Sequence, residues 1–129
     1  MKSYRGLLFL SGFYFLAVAT AHQLGLKIPM LYVFYAVASE RYQDLIISFL
    51  SFGWAMLFTI GFLDTELKAR TQLPVLISGI AAICGLIRAR LEVRSHPEID
   101  FEIAALAILL LALITTYLLS KKKKRALNA

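Results

Sequence analysis

The chain has 129 residues, of which 60% are apolar and only 17% are charged, and its formal net charge is +6. Ordinary soluble domains carry about 25% charged residues, so this composition excludes a soluble domain with a normal polar surface and also excludes a disordered chain. The length fits one domain, and several apolar stretches approach the roughly 20 residues of a bilayer span. The sequence therefore predicts a small integral membrane protein.

The predicted fold is all-α, an integral membrane four-helix bundle within a single transmembrane domain, 1–129. The four predicted spans and the basic cytoplasmic tail cover residues 6–26, 44–63, 73–91, 99–119 and 120–129. None of the spans shows the period-two alternation of barrel strands. Short connections after the second and third spans make successive helices antiparallel neighbours.

The first helix follows Lys2 and Arg5 and contains small-residue patterns that resemble a signal-peptide cleavage site. Because its apolar stretch continues to Leu26, we expect a retained helix that spans the bilayer. The connection 27–43 contains the aromatic segment IPMLYVFYAVA, which is too short to span. Tyrosine rings favour the headgroup region, so this segment predicts a short interfacial or re-entrant helix.

The third helix carries a proline and two pairs of small residues. Pro74 suits the first turn of the predicted helix. Ser78 with Ala82, and Ala81 with Gly85, lie four residues apart on one helical face. Small residues at this spacing let helices approach closely. Packing within the monomer and contact within a homodimer both remain open.

Basic residues predict the orientation in the membrane. With both termini on one side, that side holds nine of the 14 basic residues: Lys2, Arg5, Lys68, Arg70, Lys121, Lys122, Lys123, Lys124 and Arg125. The positive-inside rule then places both termini in the cytoplasm, and a bacterial inner membrane is the default location. The last five of these residues form a run that predicts binding to anionic lipids of the inner leaflet. No nucleic-acid partner is expected, because the charges are not spread over a folded face.

Polar side chains collect at the outer ends of the predicted helices, whereas the inner half of the bundle is nearly featureless. The candidate cluster, for ligand binding or for structure, comprises His22, Glu40, Asp44, Arg88, Arg90 and Glu102. Arg88 is predicted about one turn inside the outer boundary, where a charge needs a partner or water. An Arg88–Glu102 ion pair, snorkelling of Arg88 to the headgroups, and a ligand-binding role all remain open.

No pattern for metal or covalent chemistry is present in the sequence. Cys84 stands alone, which excludes an intramolecular disulfide. The spacing of His22 and His96 matches no strong metal-binding signature. We therefore expect no metal, no cofactor and no catalytic residue.

The order of four short helices resembles that of the small DoxX-like membrane proteins. The shared features are the aromatic first connection, the run Leu86-Ile87-Arg88-Ala89-Arg90, the polar loop before Pro97, and Glu102 early in the fourth helix. The resemblance covers roughly Gly6 to Ser120 and implies a four-helix membrane bundle. The redox cysteines of some DoxX-like proteins have no counterpart here.

Three functions are compatible with the sequence. The first is a non-enzymatic membrane protein that binds a lipid or small hydrophobic ligand at its outer end. The second is an accessory transmembrane subunit of a larger membrane complex. The third is an enzyme that acts on a lipidic substrate at the outer interface, with His22 beside a carboxylate.

Overall fold

The computed structural model describes residues 2–32, 40–92 and 98–127, which form four α-helices. The helices are α1 (Lys2–Leu24), α2 (Arg41–Leu63), α3 (Ala69–Glu92) and α4 (Glu98–Leu127). Each of them is long and apolar enough to cross a membrane. The prediction of an all-helical chain with four helices of membrane-spanning length and composition is therefore confirmed for the described residues.

Both terminal helices extend beyond their apolar spans. α1 begins at Lys2 rather than near Gly6, and α4 continues to Leu127 rather than ending near Leu119. The length of an apolar stretch predicts only the part of a helix that can lie in lipid. The backbone hydrogen bonds of the helix continue into polar residues until a helix-breaking residue ends them. Lysine has a high helix propensity, and cations near a helix C-terminus interact favourably with its dipole. The basic run is therefore helical.

The start of α3 also lies earlier than predicted, at Ala69 rather than Leu73. The two carboxylate oxygens of Asp64 accept the backbone N–H groups of Glu66 (3.1 Å) and Lys68 (2.7 Å). The Lys68 carbonyl then accepts the first backbone hydrogen bonds of the helix. The Asp64 side chain thus orders the turn that leads into α3, and the helix begins ahead of its apolar stretch.

Pro74 therefore lies inside α3 rather than in its first turn. A proline in this position has no N–H to donate to the carbonyl of Arg70. One turn further on, the Ser78 hydroxyl donates to the Pro74 carbonyl at 2.7 Å. The hydroxyl of Ser78, one of the small residues singled out above, thus bonds within its own helix.

α1 ends in a left-handed glycine cap. Gly25 has a φ of +68°, its N–H donates to the His22 carbonyl (3.2 Å), and the Leu26 N–H donates to the Ala21 carbonyl (2.8 Å). This pair of bonds is the Schellman arrangement, which satisfies carbonyls at a helix end. Turns follow as far as Tyr32. Most of the predicted interfacial helix falls on residues 33–39, which lie outside the described residues.

The chain packs as two compact units. The hairpin unit is Leu8–Leu63, and the terminal unit is Met1–Leu7 together with Asp64–Ala129. Within the terminal unit α3 packs against α4. A methyl group added to Gly79 would lie 2.9 Å from a methyl carbon of Leu110. The two helices therefore approach closely at this level.

The hairpin unit is held together by a close approach and by stacked aromatic rings. A methyl group on Gly12 of α1 would lie 3.5 Å from the Ala55 carbonyl oxygen of α2. Next to it, the Phe15 ring stacks on the rings of Trp54 and Phe58, with centroids 5.5 Å apart in both pairs. These contacts hold α1 and α2 together within the hairpin unit.

Candidate functional site

The hairpin unit contains a buried imidazole–carboxylate pair between the last turn of α1 and the first turn of α2. His22 Nδ1 lies 3.3 Å from Asp44 Oδ1. His22 is completely buried and Asp44 is 5% exposed. The Tyr32 ring stacks on the imidazole with a centroid separation of 4.0 Å. Two predicted site residues are thus brought together, and their mutual hydrogen bond lowers the cost of burying both.

A side chain from α2 binds the carbonyl groups at the end of α1. Arg41 Nη1 donates to the His22 carbonyl at 2.9 Å, and its Nη2 donates to the Gln23 carbonyl. The last carbonyls of a helix have no intrahelical donor, so a guanidinium there stabilises the helix end. The Ser48 hydroxyl adds a bond to the Gln23 side-chain oxygen at 3.2 Å. Arg41 was not among the predicted site residues, and its capping contacts were not predicted from the sequence.

Glu40 has a capping role. Its backbone N–H donates to Gln43 Oε1 at 3.1 Å, and its carbonyl accepts the N–H of Gln43 at 2.9 Å. This is one half of a capping box, which explains why α2 begins at Arg41 rather than at Asp44. The Glu40 side chain is exposed. Glu40 therefore contributes to the start of α2 through its backbone groups.

The terminal unit carries an ion pair between the end of α3 and the start of α4. Arg90 Nε donates to Asp100 Oδ1 at 2.7 Å, and its Nη2 donates to Oδ2 at 2.9 Å. The hydrogen bonds to Asp100 raise the pKa of Arg90 above its ordinary value. Arg90 was a predicted site residue, but its partner was not singled out from the sequence. The planar, two-point geometry fixes the two helix ends relative to each other.

The two remaining predicted residues are Arg88 and Glu102. Arg88 is the last residue of the apolar span of α3, and its side chain is exposed, whereas Glu102 is half-buried in α4. Their pairing, snorkelling of Arg88 and a ligand-binding role stay predictions. The six predicted residues divide equally between the units: His22, Glu40 and Asp44 in the hairpin unit, and Arg88, Arg90 and Glu102 in the terminal unit.

A second polar network lies in the terminal unit, among residues just outside the predicted spans. The Tyr4 hydroxyl donates to Gln72 Oε1 at 2.7 Å, and Gln72 Nε2 donates to Asp64 Oδ2 at 3.2 Å. Tyr4 and Gln72 are completely buried. Partial burial acts to raise the pKa of Asp64, but the hydrogen bonds from Gln72 and from the backbone outweigh it and hold that pKa below its ordinary value. A glutamine immediately before the third predicted span was the available sequence signal.

The four lysines at the end of α4 differ in their contacts. Lys121 Nζ lies 5.6 Å from the centroid of the Tyr117 ring, and Lys124 Nζ donates to the Glu66 carbonyl at 3.1 Å. The two lysines between them are exposed. Two of the four cations therefore contact the protein, while the other two project into the surroundings.

Within the described ranges, no three His, Cys, Asp or Glu side chains are placed to hold a metal ion. No family model matches the chain, and neither curated proteins nor solved structures match it. The DoxX-like resemblance therefore stays a prediction, and the contacts described above are the basis for any functional proposal.

Proposed function

We propose that this chain is a four-span integral membrane protein, a four-helix bundle of a bacterial inner membrane with both termini in the cytoplasm. Four helices of sufficient length and apolar character support the four spans. The Tyr4 ring near the start of α1 lies 5.5 Å from the Tyr117 ring near the end of α4, which supports a common side for the two termini. The excess of basic residues at that end supports the cytoplasmic side.

Its role is non-enzymatic, and its cytoplasmic end binds the headgroups of anionic lipids. One observation carries this proposal: α4 continues as a single helix from its apolar span through Lys121, Lys122, Lys123 and Lys124. The lysines are therefore held in a fixed helical arrangement next to the end of the span. Each basic residue near an anionic leaflet contributes about 1 kcal/mol.

The outer end supports a structural role better than a catalytic one. The His22 imidazole, which an enzyme would use as acid or base, is completely buried against Asp44 and Tyr32. A general base must reach the proton that it removes from the substrate. The more exposed Arg88 and Arg90 remain the place where a lipid or a small hydrophobic ligand would meet this end.

An accessory subunit of a larger membrane complex is the second candidate. Only 17% of the span windows of α3 and α4 is buried, against 39% for α1. The uncovered apolar surface contacts either lipid or another membrane protein. Purification in a mild detergent distinguishes the two, because an accessory subunit is expected to copurify with a stoichiometric partner.

Native mass spectrometry of the protein purified from membranes with equimolar phosphatidylglycerol and phosphatidylcholine tests lipid binding. We expect the retained lipid to be enriched in phosphatidylglycerol. Replacement of Lys121, Lys122, Lys123 and Lys124 by glutamine is expected to abolish the enrichment. The variant Lys27→Gln removes an exposed cation assigned to the opposite side and serves as the control. Equal retention of both lipids by the wild-type protein would contradict the proposal.

A further inference from the structure

We infer that the basic end of the terminal unit binds one class of lipid, a phospholipid whose headgroup carries two phosphates. The inference rests on the proposed function and names its ligand. Two separate groups of cations carry it, and each group is suited to one phosphate. The first is Lys68 with Lys124, and the second is Lys121 with the basic start of α1.

The first group surrounds one residue of the connection between α2 and α3. Lys68 Nζ lies 2.9 Å from Glu66 Oε2, and Lys124 Nζ lies 3.1 Å from the Glu66 carbonyl oxygen. Two ammonium groups therefore contact one residue that carries a single negative charge, so the group has a net positive charge. An ammonium has three donors, so these contacts leave donor capacity for phosphate oxygens.

The second group surrounds a pair of tyrosines. Lys121 Nζ lies 5.6 Å from the Tyr117 centroid, and the Tyr117 ring lies 5.5 Å from that of Tyr4. Lys2 and Arg5 share the first turns of α1 with Tyr4. Lys121 thus lies against one aromatic pair, and two further cations lie in the same first turns of α1 as Tyr4. Tyrosine rings favour the headgroup region of a bilayer.

The contacts of Lys121 and Lys124 place their ammonium groups before any ligand arrives, which lowers the entropic cost of binding. Beside these cations, Leu118 and Leu119 are 58% and 61% exposed. The same end of α4 therefore offers charge for a headgroup and apolar surface for acyl chains. This combination favours a membrane lipid over a free phosphate.

Lys122 and Lys123 provide a matched control. They are exposed and lie in the same helical segment. A double substitution there removes the same charge as a double substitution at Lys121 and Lys124. General attraction to an anionic surface depends on the number of charges, whereas a built site depends on which cations are removed.

The experiment measures lipid affinity by native mass spectrometry, with cardiolipin and phosphatidylglycerol supplied at equal total charge. We expect the wild-type protein to prefer cardiolipin. The variant Lys121→Gln/Lys124→Gln is expected to weaken cardiolipin binding roughly 30-fold, and Lys122→Gln/Lys123→Gln much less. The charge-preserving variant Lys121→Arg/Lys124→Arg is expected to retain the preference.

Equal affinity for the two lipids, or equal losses in the two glutamine variants, would overturn the two-phosphate site and leave anionic-lipid binding intact. No preference for either lipid over phosphatidylcholine would instead overturn the proposed function. If the Lys121→Gln/Lys124→Gln variant does not fold, cardiolipin binding is measured on the Lys68→Gln variant instead. A selective loss of cardiolipin binding supports the site, and unchanged binding contradicts it.

Discussion

The buried hydrogen bond between Tyr4 and Gln72 should make a measurable contribution to the stability of the folded chain. The Tyr4→Phe substitution removes only the hydroxyl and keeps the ring against Tyr117. Because donor and acceptor are 2.7 Å apart and both residues are completely buried, water cannot replace the lost donor. We expect the free energy of unfolding to fall by about 1–3 kcal/mol. The control Tyr42→Phe, at a residue that is 57% exposed, should cost less than about 0.5 kcal/mol.

A double-mutant cycle isolates the contribution of this bond. Unfolding of the wild-type protein, Tyr4→Phe, Gln72→Leu and the double variant is followed by circular dichroism in mixed micelles with increasing denaturing detergent. The double variant should lose less stability than the sum of the two single variants, by about 1 kcal/mol, because both polar partners are then absent. Additive losses within about 0.3–0.5 kcal/mol would refute the argument, as would equal effects of Tyr4→Phe and Tyr42→Phe.

Three further predictions concern the turn at Asp64, the cap at Gly25 and the buried His22–Asp44 pair. The pKa of Asp64 is lowered in the folded state, so its stabilising contribution is complete above its ordinary pKa of 3.8 and is lost as the pH falls through the lowered value. As the pH is lowered, the free energy of unfolding should therefore fall less steeply for Asp64→Asn than for the wild-type protein. An equally steep fall in both proteins would contradict this. Gly25→Ala should cost about 1 kcal/mol because of its φ of +68°, whereas Gly53→Ala, with no atom within 4 Å of the added carbon, should be neutral or stabilising in the same assay. Asp44→Ala should cost about 1–3 kcal/mol because buried His22 loses its carboxylate partner, and thermal stability equal to that of the wild-type protein would exclude this role.

The number and approximate positions of the helices follow from hydrophobic length alone. The helix ends do not, because they depend on capping contacts. Asp64 accepts two backbone N–H groups in the turn just before α3, and Gln43 closes the first turn of α2. Both interactions join residues only a few positions apart, so a search for capping side chains before each apolar stretch would have placed these boundaries better.

The long-range polar contacts were less accessible. His22 and Asp44 were both candidates, because each lies near the end of a predicted helix. By contrast, the contact between Tyr4 and Gln72 joins residues 68 positions apart. The spacing of apolar residues does not predict which side of α1 contacts α3, because both helices carry apolar side chains on all sides. The structure was therefore needed to find the polar network.

The side of the membrane on which each helix end lies tests the central claim most directly. Single cysteines are introduced at the exposed positions Lys27, Thr65 and Lys123 in a Cys84→Ala background, and intact cells are labelled with a membrane-impermeant maleimide. Four spans with cytoplasmic termini predict that the cysteine at position 27 is labelled in intact cells, whereas those at positions 65 and 123 are labelled only after the membrane is permeabilised. Labelling of positions 27 and 65 from the same side would contradict the four-span account.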